Sequence, residues 1–202
     1  MKRVFFIRHA ESAANAGFKT GSDKLIPLSP LGHDQAHRLA ETFTITPELI
    51  VVSAYLRTQE TAHPYIQKHK KDPEVWSVHE FSYLNGLAFQ NTTASERYSD
   101  VQKYWDTADI HHNAGDGAES FYDLVNRAKT IRDQLINRPE KIIVIFSHGH
   151  FMRLFSFIDS MLREGKNLSE NDLREYMLEH AAFLRSGGRF RIENTEVREF
   201  EF

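Results

Sequence analysis

The sequence contains no cysteine among its 202 residues. That excludes disulfides, a thiolate nucleophile and cysteine-ligated zinc, and it suits a reducing compartment, so a cytoplasmic location is expected. Long apolar runs are also missing. No stretch approaches the roughly 20 residues of a membrane-spanning helix. The apolar segment behind Met1-Lys2-Arg3 stops at Arg8, too early for the core of a signal peptide. Neither sign of charge dominates: the formal net charge of −3 gives no reason to expect nucleic acid or an anionic membrane as a partner. There is no internal repeat, low-complexity tract or linker. What remains is 41% hydrophobic and 26% charged, an ordinary globular composition with enough length for one domain and one substantial core.

Val4-Phe5-Phe6-Ile7 runs without interruption into Arg8-His9-Ala10-Glu11-Ser12. A short apolar run that ends abruptly predicts a buried parallel strand, and open α/β sheets hold their ligands beyond the carboxyl ends of such strands. One Arg-His pair after a strand is most often a solvated turn. The pattern recurs, however, where Lys141 to Phe146 ends in Ser147-His148-Gly149-His150. Both strands would then deliver a histidine to one edge of one sheet.

Between and around these strands the alternation continues. Ser29-Pro30 opens a helix with apolar spacing at Leu31, Gln35, Ala36, Leu39, Ala40 and Phe43. Leu49 to Val52 reads as a second strand leading to Arg57, and residues 57–69 as a helix that Pro64 should kink or divide. Val75 to Val78 reads as a short strand ending in His79-Glu80. Residues 81–117 break the rhythm; they are aromatic and polar, with one helix near 94–106, and are expected to form an insertion packed over the strand tips. Further helices are expected at about 120–137, 150–164 and, capped by Ser169 with Asp172, 169–180. Arg189 to Ile192 and Glu196 to Phe202 read as edge strands, which would permit a homodimer. The expected fold is a three-layer α/β/α sandwich on a mostly parallel mixed sheet, forming a single domain over 1–202 with the insertion as a small helical cap.

In that fold Arg8-His9, Arg57, Glu80 and Ser147-His148 converge. Guanidinium groups hold a phosphoryl group bidentately, better than lysine does. Phosphoryl transfer needs positive charge at the equatorial oxygens and an in-line nucleophile, which a neutral imidazole can supply. A carboxyl group can protonate the departing oxygen and then activate water. His148-Gly149-His150 could instead suggest metal ligands, but no further histidine or carboxylate sits at a completing spacing. His63, His69, His111, His112 and His180 read as surface or packing residues.

The sequence resembles the histidine phosphatase superfamily, also called phosphoglycerate mutase-like. The resemblance rests on Arg8-His9-Ala10-Glu11-Ser12 with Asn15, Leu28-Ser29-Pro30-Leu31-Gly32 with Gln35-Ala36, and Ser53 with Arg57, Gln59, Thr61 and Ala62. Gly117-Ala118-Glu119-Ser120 with Arg127, Ser147-His148-Gly149 with Arg153, and Asn194 complete it. It implies that His9 accepts the phosphoryl group, that Arg8, Asn15, Arg57, His148 and Gly149 form the phosphate pocket, and that Glu80 is the general acid and base, with Glu11 and Glu119 as the other carboxylates for that role. It implies a metal-independent phosphatase without a cofactor, acting on a small-molecule phosphomonoester. Three alternatives stay open at this stage: a phosphoglycerate-type mutase, a phosphohistidine or protein phosphatase, and a non-catalytic relative that only binds phosphate.

Overall fold

The strands at Arg3–Arg8 (β1), Leu49–Val52 (β2) and Ile142–Ser147 (β4) are apolar at successive positions, so each must be covered on both faces. A computed structural model of the chain, which describes residues 1–84, 86, 88–186 and 192–202, shows how. With Glu74–Val75 (β3) and Val197–Glu201 (β5) they form one sheet in the order β3-β2-β4-β1-β5. All pairings are parallel except that of β5, which runs antiparallel along β1.

Strand alternation sorts the core into two halves. Val4, Phe6, Leu49, Val51, Ile143 and Ile145 pack against Phe121–Asn137 (α4), Gly149–Arg163 (α5) and Glu170–Arg185 (α6). Phe5, Ile7, Ile50, Val52, Val144 and Phe146 pack against Pro30–Thr42 (α1) and Leu56–His69 (α2). The result is the expected three-layer α/β/α arrangement. Helix starts follow local chemistry. The Ser29 hydroxyl accepts from Gly32 N, while Ser120 with Asp123 and Ser169 with Asp172 form reciprocal capping boxes. No helix among the described residues is long and apolar enough to cross a membrane.

Several elements differ from expectation. β3 stops at Val75 because the chain turns at Trp76: Val78 N donates to Trp76 O (2.8 Å), and the Ser147 hydroxyl donates to Val78 O (2.7 Å). Glu80 therefore arrives on a loop that β4 pins, not on a strand tip. Arg57 lies in the first turn of α2 rather than at the end of β2. α2 runs through Pro64 as one helix; the ring forfeits one ladder hydrogen bond without dividing the element. Leu31, placed on the apolar face by spacing, is 53% exposed, being in the first turn of α1 on its solvent side. α6 continues to Arg185. The strand expected at Arg189 to Ile192 falls mainly on residues outside the described ones. Residues 81–117 contain Tyr98–Thr107 (α3), whose Tyr104 and Trp105 are buried in the α4–α6 half of the core.

Candidate active site

The pairing of β1 with β4 sets Arg8 opposite Ser147, so the next residues of the two strands emerge side by side. His9 N donates to Ser147 O (2.9 Å), and the rings of His9 and His148 lie 5.1 Å apart between centroids. Their adjacency is thus a consequence of sheet register.

His9 is 3% exposed. Its Nδ1 lies 2.7 Å from Ala10 O, and a carbonyl can only accept, so Nδ1 carries the proton and Nε2 keeps its lone pair. Arg57 Nε donates to that lone pair at 3.3 Å. Burial, then the Arg57 and Arg8 charges, hold the His9 pKa well below that of an ordinary histidine, so the ring stays neutral. The surrounding backbone is fixed from three sides. Ala10 N donates to Thr61 Oγ1 (2.9 Å), Asn194 Nδ2 donates to His9 O (2.8 Å), and Glu11 N donates to Gln35 Oε1 (2.8 Å). Behind this turn α1 approaches so closely that a Cβ at Gly32 would strike the Glu11 carbonyl. Ala10, by contrast, adopts no left-handed conformation, so a side chain is accommodated there.

Arg57 is buried, with Nη1 donating to Asp23 O (2.7 Å) and its guanidinium 4.9 Å from the Tyr55 ring centroid. Arg8 donates through Nη1 to Ile192 O (2.6 Å). His148 is fully buried and its tautomer follows from a relay. The Thr58 hydroxyl donates to Tyr55 O (2.7 Å), so Ser53 donates to Thr58 (2.7 Å) and accepts from His148 Nε2–H (2.8 Å). His148 Nδ1 is buried and has no partner among the described residues. Burial, Arg57 and His9 hold this ring neutral as well.

Glu80 reaches the same place from its loop. Its Oε1 accepts from the backbone of Phe81 (3.1 Å), His150 (3.0 Å) and Phe151 (3.3 Å), the last two at the amino end of α5. Oε2 faces Gly149, 3.9 Å from where a Cβ would stand, and Arg8 Nε lies 3.6 Å from that point. Glu80, Arg8, Gly149 and Asn15 share one cavity of about 320 Å³. Asn15 is exposed; its Oδ1 accepts from Ser12 N and from Asn194 Nδ2, both at 3.3 Å. Glu11 and Glu119 are engaged elsewhere: Glu11 Oε1 accepts from Ser29 Oγ (2.6 Å) and Glu119 pairs with Arg127. No group of three histidine, aspartate or glutamate side chains among the described residues is arranged to hold a metal ion.

Arg8, His9, His148 and Gly149 thus lie at the carboxyl ends of β1 and β4, Arg57 comes from the first turn of α2, Glu80 from the loop after β3, and Asn15 from the exposed loop after β1. The residues that fix their orientation went unassigned from sequence: Ser53 and Thr58 behind His148, Thr61 and Asn194 behind His9, and Asp23 behind Arg57. Ser53, Thr61 and Asn194 stood within recognisable segments, yet their roles need the fold to become visible; for Asp23, which contributes only a carbonyl, no side-chain signal exists.

Buried neutral histidines couple stability to pH. The unfolded chain binds protons at these imidazoles below about pH 6.5, while folded His9, His148 and His150, with lowered pKa values, do not. Their contribution is complete above about pH 6.5 and is lost as pH falls below it, at up to about 1.4 kcal/mol per pH unit for each group. The thermal midpoint should fall steadily from pH 7.5 to 5.5; a flat or rising midpoint would contradict the neutral assignment.

The sequence matches the family described as "Histidine phosphatase superfamily (branch 1)" over residues 4–182. Among solved structures it is similar to mycobacterial glucosyl-3-phosphoglycerate phosphatase in complex with VO3 (20% identity, TM-score 0.71, covering 100% of this chain and 93% of that one). It is similar to a phosphoserine phosphatase of Entamoeba histolytica in complex with 3-phosphoglyceric acid (21%, TM-score 0.68, 100% and 91%). A third is the alpha-ribazole phosphatase of Shigella flexneri (18%, TM-score 0.71, 99% and 90%). At these identities the likeness establishes the fold. No curated protein matches the sequence.

Proposed function

Because the chain belongs to the histidine phosphatase superfamily, branch 1, we propose that it hydrolyses phosphomonoesters of small molecules through a phosphoryl group carried on His9, with Glu80 as proton donor. The observation that carries this reading is the state of His9. Nδ1 is pinned as N–H by the Ala10 carbonyl, and the Nε2 lone pair sits beside a buried guanidinium. A nucleophile is thereby oriented, kept unprotonated and placed next to the charge that a phosphoryl group needs.

In the first step His9 Nε2 forms a bond to phosphorus as the bond to the ester oxygen breaks. Arg57 releases Nε2 to bind the equatorial oxygens together with Arg8. Glu80 passes its proton to the departing oxygen. The ring, now substituted at Nε2, keeps Nδ1–H on the Ala10 carbonyl. His148 Nδ1, without a partner among the described residues, accepts a hydrogen bond from the O–H of a monoanionic phosphoryl group, so the ring stays neutral throughout. In the second step Glu80, now a carboxylate, removes a proton from water. The water oxygen bonds to phosphorus, the N–P bond breaks, and its electron pair returns to Nε2 with release of inorganic phosphate.

Hydrolysis is favoured over transfer between two hydroxyls of one substrate. Residues 81–117 contain only Arg97 and Lys103 as cations, without an adjacent basic pair, and Arg97 already donates to Thr92 Oγ1 at 3.1 Å. The similar solved structures carry phosphatase names, which supports the same choice. The test is phosphate release from a panel of phosphomonoesters by chelator-treated protein. Sustained turnover is expected; turnover that disappears on chelation, or no release from any ester without a bisphosphate primer, would overturn the reading.

A further inference from the structure

Gln35 occupies a position of α1 that apolar spacing assigns to the inner side, next to buried Ala36. A polar side chain turned inward needs a partner, and the partner here is a backbone group of the turn that carries His9. Small residues let the helix come close enough. Ala10, Leu28 and Ala36 form one buried apolar cluster, and Gly32 stands against the Glu11 carbonyl. Gln35 Oε1 then accepts from Glu11 N at 2.8 Å. A backbone N–H can only donate, so it is the amide oxygen that faces the turn.

Three successive peptide units follow His9, and each is held at both ends. In the His9–Ala10 unit the carbonyl accepts from Asn194 Nδ2 (2.8 Å) and the N–H donates to Thr61 Oγ1 (2.9 Å). In the Glu11–Ser12 unit the carbonyl accepts from Ser29 N (2.9 Å) and the N–H donates to Asn15 Oδ1 (3.3 Å). The Ala10–Glu11 unit between them is the one that touches the nucleophile. Its carbonyl lies 2.7 Å from His9 Nδ1, and its N–H is the group that Gln35 binds. The His9 ring and the Gln35 amide are thus the two ends of one hydrogen-bonded chain.

That chain has two effects. A planar unit held at both ends cannot swing its carbonyl away from Nδ1, so the proton of His9 stays there and Nε2 stays bare. Hydrogen bonds at the two ends of one peptide also polarise each other, which makes the Ala10 carbonyl a stronger acceptor. When Nε2 shares its lone pair with phosphorus while Nδ1 keeps its proton, the ring gains positive charge. The Ala10 carbonyl is the group that meets that charge at Nδ1–H.

We propose that Gln35 is a positioning residue for phosphoryl transfer, fixing the tautomer of His9 and supporting charge on its ring through the Ala10–Glu11 peptide. The tautomer rests on hydrogen-bond geometry alone; the charge on the ring rests on the phosphatase reading.

Two measurements test it. Proton–nitrogen correlation spectra of the histidine rings read the tautomer in the resting protein, with His9 identified by the signals that His9→Ala removes. Single-turnover quenching with a labelled ester reads the rate at which His9 is phosphorylated. Gln35→Met keeps the bulk and removes the acceptor. It should move part of the His9 population to the Nε2–H form and slow phosphorylation by about 10- to 100-fold, the usual cost of losing a group that orients a functional imidazole. Gln35→Asn, whose amide falls one methylene short, carries the same expectation should Gln35→Met not fold. Gln35→Glu retains an oxygen for Glu11 N and should keep the Nδ1–H form and most of the rate. Leu39→Ala opens a cavity beneath α1 without touching the turn; it should lower the thermal midpoint and leave the His9 signals unchanged.

An unchanged His9 spectrum or phosphorylation rate in Gln35→Met or Gln35→Asn would overturn the assignment. So would equal losses in Gln35→Met and Gln35→Glu, or the same tautomer change in Leu39→Ala. A tautomer that shifts on loss of Gln35, in a protein whose unaltered form releases phosphate from no ester, keeps the positioning of His9 and removes the phosphatase. Turnover with a tautomer indifferent to Gln35 removes the positioning role and keeps the phosphatase.

Discussion

His9→Ala lowers turnover of every phosphomonoester by about 10⁴-fold or more, the loss expected when an enzyme's only nucleophile is removed. The size follows from the lack of a substitute. His148, whose ring lies 5.1 Å from that of His9, has its Nε2 committed to Ser53. His150 stacks on Trp105, with ring centroids 5.7 Å apart, and is set into the helix rather than beside Nε2 of His9. The variant keeps Arg8, Arg57 and His148, so it should still bind inorganic phosphate or vanadate. Retained binding with lost turnover separates chemistry from misfolding. Residual activity above about one per cent of the starting value would show that His9 does not carry the phosphoryl group.

Glu80→Gln should lower kcat/KM for alkyl phosphates by about 10²- to 10⁴-fold, the usual contribution of a positioned acid. Glutamine can place its carbonyl oxygen where Oε1 now accepts from His150 N and Phe151 N, so the loop should hold its shape. What is lost is the proton delivered from the side facing Gly149. The loss should therefore depend on the leaving group. p-Nitrophenolate departs without a proton, so kcat/KM for p-nitrophenyl phosphate should change far less. Water activation is impaired as well, and a burst of p-nitrophenol followed by slow turnover should appear. An equal loss for both esters with no burst would move the acid role away from Glu80. The other carboxylates are poorly placed to take it, since Glu11 is held by Ser29 and Glu119 by Arg127.

The parts of this site that could be read from sequence are those set by strand order and local periodicity. Val4 to Ile7 and Ile143 to Phe146 are continuous apolar runs, and two such runs ending in histidine imply neighbouring tips. Register then sets Arg8 against Ser147. Ser120, Ser169 and their partner aspartates announce their helices for a similar reason, because capping is a contact over three residues. The harder parts are long-range. β3 ends at Val75, not at Val78, since Ser147 on β4 pulls Val78 out of the ladder. Arg57 belongs to a helix because Ser53 accepts from Tyr55 N (3.1 Å) and turns the chain directly after β2.

The central claim is a covalent phosphohistidine, and rapid quenching with an ester labelled in its phosphoryl group tests it most directly. The account predicts label on the protein within one turnover, stable to alkali and lost in acid, and mapped by mass spectrometry to His9. Turnover that proceeds with no label on the chain, or label found on a residue other than His9, would contradict it.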